Sequence, residues 1–475
     1  KVLADCSEKA LILANRFNAE IKTFHRKWYY HFFRFAFVNS RIRDTFNCRS
    51  SIYISLNRRQ RKIIKDLLAE AKLILKDKQA VYDYRVLGFW IGIEIYESYL
   101  RIGNPTVDLH DPRFWQIVKE GLVYLLFWRD YFKLNHVDAV IISHDSYISM
   151  NIMVKVAYAK NVSVFMPSQR GLARTTAPFS LYGYKFKNYR TIFRGLKPEA
   201  QKHCLQWAEK QLRKRLEGEV GVDMHYSTAS AFHSDQYQTA VLKKSKKTKV
   251  MIYSHCFFDN PHAYGGLLFL DFYEWLTFLG EISEQTDYDW YIKIHRDYLP
   301  GTIKVLNKIL KNYSKIKLVP SNVSNHQLIR EGLSFALSCY GSVGHELPLL
   351  GVQVINAGFN PHVSYDFNWH PKTIEEYTWM LKNLDKLSNK NIRKKDVYEF
   401  YYMHYKHFNL DSLIYDSYIE TSRNPKGYKN SESAPYKYFL EEFSQKKHSE
   451  IIYNMKNFIE SGKSHFSINE IKAQH

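Results

Sequence analysis

The chain has 475 residues, of which 45% are hydrophobic and 16% aromatic, and 68 basic against 47 acidic side chains give it a formal net charge of +21. This length exceeds one typical core, so we expect two or three domains, and the charge favours anionic partners such as nucleotide phosphates, acidic glycans, anionic lipid surfaces or nucleic acid. No apolar run approaches the ~20 residues of a membrane span. The five scattered cysteines include no CxxC pair, so they indicate neither a disulfide framework nor a zinc site, and a reducing cytosol fits best.

Residues 1–80 are basic, and their pattern predicts a mostly helical N-terminal segment. The densest mixture of cationic and aromatic side chains runs from His25 to Arg34. Such a mixture suits a membrane interface or nucleic acid, and it fits equally well a helix that packs on a lobe with solvated basic groups. Of the two kinds of partner we expect the anionic membrane surface, and we expect no nucleic acid.

Residues 81–242 predict a first α/β unit, because strand and helix patterns alternate in them. The helix predicted over Val86–Ile102 carries Glu94, Glu97 and Arg101 on one face, at spacings of three and four residues. A buried Glu97–Arg101 ion pair would explain this pattern. So would a cleft in which Glu97 is a catalytic or acceptor-binding carboxylate.

The strand predicted over Val137–Ser143 is followed directly by His144 and Asp145. Ligands of open α/β sheets collect at the carboxyl ends of strands, so both side chains are candidates for a cleft. Asp145 also fits the role of a helix cap. The loop Ser168–Pro178 follows the next strand, and we expect its Arg170 to contact an acceptor.

A lysine-rich run over residues 243–249 predicts a solvated linker between domains. Residues 250–390 then repeat the alternation of strands and helices and predict a second α/β unit. Residues 391–475 predict a helical C-terminal region, in which the part after about Thr421 is expected to be a peripheral extension.

Polar residues follow several strands of the predicted second unit. His262 lies in the long loop after the first strand, His295 follows the second, and Ser321 follows the third. Since the carboxyl ends of parallel strands lie along one edge of a sheet, these residues are further candidates for a ligand site.

The stretch over residues 338–358 predicts a strand, a glycine turn, a short helix and a second strand. Gly341, Ser342 and Gly344 allow a sharp turn that leaves amides unpaired. Such a turn at a helix N-terminus is suited to an anion, because N–H groups and the helix dipole both point at the ligand. An ordinary strand–helix turn without a ligand explains the same residues.

Three segments together resemble the C-terminal half of GT-B glycosyltransferases of bacterial surface and capsular polysaccharide synthesis: Trp290–His295, Gly341–Glu346 and Gly351–Gly358. Relatives in this group include CMP-sugar-dependent Kdo and sialic acid transferases and teichoic-acid glycerophosphotransferases. Many members carry Lys-x-His-Pro, and here Arg296 follows Lys293 and His295 where the proline is expected. The resemblance is specific over about residues 250–370 and looser over 85–170.

The resemblance implies an α/β protein of the GT-B class, with two Rossmann-like lobes facing a central cleft and helical N- and C-terminal extensions. It implies transfer of a sugar from a nucleotide-activated donor, a CMP-sugar such as CMP-Kdo or a UDP-sugar, to a growing surface polysaccharide or glycolipid. We expect the following residues to contact the donor or its nucleotide: Lys293, His295, Ser321, Ser342, Gly344, His345, Glu346 and His262.

The expected chemistry needs neither a metal nor a cofactor besides the nucleotide-sugar, since amides, cations and a helix dipole can stabilise the leaving phosphate. Glu97, Asp145 and His144 are the candidates for the catalytic base or nucleophile, and Arg101 and Arg170 are expected to bind the acceptor. Because glycan assembly usually occurs at the membrane surface, we expect a cytoplasmic protein at the inner face of the cytoplasmic membrane. The alternatives are a glycerophosphotransferase, a nucleotide-sugar 2-epimerase, a basic nucleic-acid-binding protein and a scaffold without activity.

Overall fold

The computed structural model describes residues 2–4, 21–25, 50–142, 144–168, 171–175, 184–220, 222–223, 229–233, 237–295, 298–390, 392–408, 444, 446 and 449–466. These residues belong to two compact units. The first comprises residues from 1–99, 108–181 and 407–475, and the second comprises residues from 100–107 and 182–406. The predicted linker over 243–249 therefore lies inside the second unit, where it leads into a strand, and the change of unit occurs near residue 181.

The first unit contains a six-stranded sheet in the order β3-β2-β1-β6-β7-β8. Its strands are β1 Val2–Ala4, β2 Ile21–His25, β3 Ser50–Tyr53, β6 Ala139–Ile141, β7 Ser163–Ser168 and β8 Gly171–Arg174. All neighbours pair in parallel except β7 and β8. A separate hairpin consists of β4 Arg85–Val86 and β5 Phe89–Trp90.

The described helices of this unit are α1 Arg58–Ile74, α2 Lys78–Tyr82, α3 Gly92–Arg101, α4 Pro112–Leu134, α5 Ile152–Ala159 and α14 Ser449–Glu460. The α3 helix begins at a glycine because a Cβ there would lie 2.1 Å from the Val81 carbonyl oxygen. The last two residues of α3 are counted with the second unit.

The prediction that residues 1–80 are mostly helical misses three strands: helices take up 20 of the 39 described residues in this range, but 12 others form three of the six strands of the first sheet. The first strand is apolar but only three residues long, and the other two are four and five residues long and mix polar with apolar side chains. They therefore lack the continuous apolar run that identifies a buried parallel strand. The His25–Arg34 patch lies almost wholly outside the described residues.

The second unit contains a five-stranded parallel sheet in the order β11-β10-β9-β12-β13. Its strands are β9 Lys249–Tyr253, β10 Asp289–Lys293, β11 Ile316–Leu318, β12 Leu333–Ser338 and β13 Gln353–Asn356. Its described helices are α6 Tyr189–Arg194, α7 Pro198–Leu216, α8 Phe272–Gln285, α9 Thr302–Leu310, α10 Asn325–Arg330, α11 Val343–Glu346, α12 Ile374–Lys382 and α13 Lys394–Tyr402.

Alternate residues of the central strand β9 supply the cores on the two faces of this sheet. Val250 and Ile252 pack with Trp275 and Trp290 on one face, and Met251 belongs to a second core on the opposite face. Because both faces are covered, the strand is apolar at nearly every position, as the sequence predicts for a buried parallel sheet. The predicted α/β fold with two Rossmann-like units, which the GT-B class requires, is confirmed.

The described C-terminal residues are divided between the units. The α13 helix belongs to the second unit, whereas α14 packs on the first. Phe458 of α14 lies 6.3 Å from the ring of Phe165 in β7, and His465 bridges Ala173 of β8. The part after Thr421 is thus more than a peripheral extension over the residues described. No helix in the described part of the chain is both long and apolar enough to cross a lipid bilayer.

Candidate functional site

The order of the second sheet places a switch point between β9 and β12. From β9 the chain adds β10 and β11 on one side, and then crosses to add β12 and β13 on the other side. In open parallel sheets, ligands bind outside the carboxyl ends of the strands at such a reversal. The residues that follow β9 and β12 are therefore the first place to examine for a ligand site.

His255 follows β9, and hydrogen bonds connect it to the end of β12. The Cys339 amide donates to Nε2 of His255 at 3.3 Å, and the Ser338 hydroxyl oxygen lies 3.2 Å from the same nitrogen. The ring stacks on Phe272 at 4.9 Å and lies 4.6 Å from the ring of Tyr340. Burial and the nearby His295 lower the pKa of His255 to about 3, so the ring is neutral near pH 7.

Ser338, the last residue of β12, stabilises the glycine turn that follows. Its hydroxyl oxygen accepts a hydrogen bond from the Gly341 amide at 3.0 Å. The Gly344 amide donates to the carbonyl of Gly341, and the His345 amide donates to that of Ser342, both at 3.0 Å. These two amides, predicted to be open to an anion, therefore close the turn. The amides of Ser342 and Val343 donate to no acceptor among the described residues, so the pair of open donors lies two positions earlier in the turn.

His295 follows β10 and is exposed. The sheet order puts β9 between β10 and β12, so about 9–10 Å separate the ends of the strands that carry His295 and the glycine turn. His255 occupies the intervening strand end and is close enough to His295 for their charges to interact. His295 and the glycine turn thus lie along the same sheet edge, and His255 lies between them.

Lys293, predicted to face the donor, is buried with 5% of its surface exposed. Its ammonium donates to the Val323 carbonyl at 2.6 Å and to the Asn325 side chain at 2.8 Å. Tyr253 of β9 also donates to Asn325, at 3.2 Å. Lys293 therefore holds the segment after β11 in place. Its contribution to the sheet edge is this structural role.

The side chains of His345 and Glu346 are each 1% exposed and point into the interior of the second unit. Glu346 accepts a hydrogen bond from Nε of Arg215 at 3.0 Å, and Asp223 lies 3.7 Å from the same nitrogen. Contact of Glu346 with a ribose, implied by the resemblance, would require it to leave this buried guanidinium. Both residues thus anchor the glycine turn from behind.

His345 also belongs to a pair of buried histidines. Its Nδ1 lies 3.2 Å from Nε2 of His362, and the rings of both pack against Phe400. Burial lowers the pKa of His345 to about 4, and burial together with the neighbouring histidines holds the pKa of His362 well below its usual value. The pair is therefore neutral near pH 7.

Asp223, His345 and Glu346 are the one group in the described part of the chain with the spacing of a metal site, with ligand atoms within 4.8 Å of one another. The guanidinium of Arg215 already lies against both carboxylates. A cation of the protein itself thus offsets one of their two negative charges.

The two remaining predicted donor residues lie on loops of the same sheet. His262 is buried, and its amide donates at 2.9 Å to the side chain of Asn260 in the loop after β9. The Tyr340 hydroxyl donates to the Asn260 carbonyl at 3.1 Å and so connects this loop with the glycine turn. Ser321 is half-buried in the segment after β11.

In the first unit, β1 lies between β2 and β6, so the chain reverses its order between β1 and β6. His144 and Asp145 follow β6 and therefore lie at the switch point, as the sequence predicts. Asp145 is buried, and Ser146 occupies the cap position of the helical turn Tyr147–Asn151.

The predicted acidic face of α3 is buried, with Glu94 0% and Glu97 2% exposed. Glu94 pairs with Lys155 of α5 at 2.6 Å. Burial, together with the negative charges of Glu97 and its neighbours, raises the pKa of Tyr82 to about 12. Arg101 belongs to the second unit, and within that unit it pairs with Asp259 at 3.6 Å.

Arg170, the other predicted acceptor residue, lies outside the described residues. His255 and Arg215 were not among the predicted site residues. His255 had a signal in the sequence, since it follows the first strand of the second unit directly. Arg215 had none, because it meets Glu346 across 131 positions of the chain.

The sequence matches no family model and no curated protein. Among solved structures, the KpsC beta Kdo 2,4 transferase of Thermosulfurimonas dismutans is 12% identical, covers 61% of this chain and 88% of its own, and has a TM-score of 0.37. The KpsC beta Kdo 2,7 transferase of the same organism is 11% identical, covers 86% of this chain and all of its own, and also has a TM-score of 0.37.

A UDP-GlcNAc 2-epimerase from Neisseria meningitidis, solved bound to UDP-GlcNAc, is 10% identical and covers 88% of this chain and 98% of its own, with a TM-score of 0.26. Sequence identities and TM-scores as low as these do not support a conclusion about activity. The assignment of a function therefore depends on the residues of the site.

Proposed function

We propose that the chain is a metal-independent glycosyltransferase that takes a sugar from a nucleotide-activated donor, a CMP-sugar such as CMP-Kdo or a UDP-sugar. The acceptor is a growing bacterial surface polysaccharide or glycolipid at the inner face of the cytoplasmic membrane. The observation that carries the proposal is the carboxyl edge of the second sheet. There the exposed His295, the neutral His255 and the open amides of Ser342 and Val343 lie along one sheet edge, with His255 and the amides at the switch point.

These groups match the needs of sugar transfer. The acceptor oxygen forms a bond to the anomeric carbon, the bond from that carbon to the phosphate oxygen breaks, and its electron pair stays on the phosphate. Amides and imidazoles beside that oxygen stabilise the charge as it develops. The hydroxyl proton goes to a base, for which we propose Glu97, Asp145 or His144 of the first unit.

The first experiment measures thermal unfolding of the chain with CMP, CDP, UDP and GDP. A nucleotide that binds only the folded protein raises the melting temperature, by an amount that corresponds to about 2.7 kcal/mol at a hundred times its Kd. The variant His295→Ala should lose most of this shift without a change in its own unfolding temperature. His203→Ala, which removes an exposed histidine of α7, is the matched control.

If none of the four nucleotides shifts the unfolding of the unaltered chain, the proposal fails. A nucleotide-sugar that is isomerised without an acceptor would indicate an epimerase, and salt-dependent DNA or RNA binding without nucleotide binding would indicate a nucleic-acid-binding protein.

The second experiment concerns the base. Asp145→Ala and Glu97→Ala should each be assayed for transfer with the donor found above, and at least one of them should lose turnover while it still binds the nucleotide. If both variants fold and retain full turnover, neither carboxylate is the base, and His144 remains as the candidate.

A further inference from the structure

A residue outside the predicted site set holds the central position at this sheet edge. His255 follows β9, and its neighbours in the sheet are β10, which leads to His295, and β12, which leads to the glycine turn. An anion that contacts both His295 and the open amides of the turn must pass over His255.

The proton on the His255 ring is fixed by its contacts. The Cys339 amide can only donate, so the Nε2 atom that faces it at 3.3 Å must be the acceptor. The Ser338 hydroxyl uses a lone pair for the Gly341 amide, which leaves its own hydrogen for the same Nε2 atom at 3.2 Å. The neutral ring therefore carries its hydrogen on Nδ1.

That Nδ1–H group is held in a fixed direction and remains available. The ring stacks on Phe272, and Tyr340 packs against it on an adjacent side, so two aromatic contacts fix its orientation while it is only half-buried. Its Nδ1 atom has no hydrogen-bond partner among the described residues. A neutral imidazole of this kind can donate to a phosphate oxygen without giving up its proton, which is useful where charge develops during bond cleavage.

We propose that His255 donates the hydrogen bond from Nδ1 to a phosphate oxygen of the nucleotide, between His295 and the glycine turn. This inference deepens the proposed function and rests on it. No proton is transferred, so His255 acts as a fixed neutral donor, and it is matched to a phosphoester or diphosphate anion.

Two substitutions separate the role in binding from the role in structure. In His255→Gln the side-chain oxygen can take the place of Nε2 and accept the Cys339 amide, while no donor remains at the place of Nδ1. In His255→Asn the amide nitrogen can take the place of Nδ1, while the bond to β12 is lost.

Binding of CMP and UDP should be measured by calorimetry, with cytidine and uridine as probes that lack the phosphate. We expect His255→Gln to weaken nucleotide binding by roughly tenfold to a hundredfold, as for a hydrogen bond to a charged group. Its affinity for the nucleoside and its unfolding temperature should be unchanged. His255→Asn should unfold at a lower temperature and bind nucleotide better than His255→Gln. Equal nucleotide affinity of His255→Gln and the unaltered chain would overturn the proposal.

A spectroscopic test does not depend on the identity of the nucleotide. The nitrogen chemical shifts of the His255 ring should show the neutral form with hydrogen on Nδ1 from pH 5 to 8, and inorganic pyrophosphate should shift the Nδ1 resonance. If pyrophosphate shifts Nδ1 while no nucleotide binds, the proposed function fails and the role of His255 stands. If the hydrogen resides on Nε2, or if neither pyrophosphate nor any nucleotide moves the Nδ1 resonance, the proposal about His255 is wrong.

Discussion

Gly344 shows how tightly the glycine turn is packed against the histidines behind it. A Cβ at this position would lie 2.4 Å from Cε1 and 2.7 Å from Nδ1 of His362. The His362 ring cannot move aside easily, because it is 1% exposed, lies 4.4 Å from the ring of Phe400 and is bonded to His345. The glycine is thus required by its neighbours in space, in addition to the turn that the sequence predicts there.

We expect Gly344→Ala to reduce the free energy of unfolding by about 1–3 kcal/mol, the usual cost of overfilling a packed interior. Nucleotide binding should weaken as well, because the turn must shift to admit the methyl group. Thermal and urea unfolding measure the first effect, and calorimetry measures the second.

The control for this change is Gly266→Ala, since a Cβ at Gly266 would meet no atom within 4 Å. That variant should unfold like the unaltered chain. Equal stability of the Gly344 and Gly266 variants would contradict the close packing behind the turn.

At the scale of elements, the long helix α7 is joined to the four-residue helix α11 by a buried ion pair. Arg215 is 4% exposed, and its Nε atom lies 3.0 Å from Glu346 and 3.7 Å from Asp223. A helix as short as α11 has little stability of its own. Its position, and with it the direction of the open amides of Ser342 and Val343, therefore depends on this contact.

Replacing Arg215 by methionine leaves two buried carboxylates without their cation. Loss of one partner of a buried pair costs about 3–5 kcal/mol, so Arg215→Met should show a large fall in the free energy of unfolding by urea. Arg213→Met, on an exposed position of the same helix, should change it by less than about 0.5 kcal/mol. If the two variants have similar stability, the pair does not hold α11 in place.

The α14 helix provides a second test at this scale, in the first unit. Phe458 is 2% exposed, its carbonyl accepts a hydrogen bond from Arg174 at 3.0 Å, and its ring packs on Phe165. We expect Phe458→Ala to cost about 3–5 kcal/mol, whereas Tyr453→Ala, at a position 60% exposed on the same helix, should be nearly neutral. Hydrogen exchange should show the loss of protection in β7 and β8 and leave β12 and β13 unchanged. Loss of protection in both sheets would contradict a role confined to the first unit.

The sequence predicts elements well where burial produces a clear pattern. The strands of the second sheet are apolar along most of their length, so their positions and the polar residues after them could be predicted. The short strands β1 to β3 lack that pattern, and α14 joins the first unit through contacts about 290 residues apart along the chain. Pairings over such distances leave no local signal.

The same reason explains the outcome for the site. The position of His295 after β10 and of the turn after β12 follows from strand order, which the sequence pattern indicates. Whether a side chain then points out or in depends on partners elsewhere in the chain. Lys293 turns to Asn325, and Glu346 turns to Arg215, and neither partner is marked by a motif.

At the scale of the whole molecule, buried neutral histidines should make stability depend on pH. Burial lowers the pKa of His345 and His370 to about 4 and that of His255 to about 3, and it also holds the pKa of His362 well below its usual value. The groups that face them contribute smaller effects: Glu346 and Arg215 at His345, Lys390 and Asp366 at His370, and the neighbouring histidines at His362 and His255.

The sign follows from the number of bound protons. An unfolded histidine has a pKa near 6.5, so between about pH 6.5 and 4 the unfolded chain binds more protons than the folded chain, and acidification favours unfolding. We expect the free energy of unfolding to be highest above pH 6.5 and to fall by about 5 kcal/mol between pH 7.5 and 5.5. An unfolded histidine binds on average about half a proton over these two pH units, so each of the four histidines contributes about 1.4 kcal/mol. Urea unfolding across this range measures the slope. His370→Gln, which can keep a hydrogen bond to the Tyr365 carbonyl, should reduce the slope by up to one proton. A free energy of unfolding that stays constant from pH 7.5 to 5.5 would show that these rings are not buried in the neutral form, and the packing behind the glycine turn would then be wrong as described.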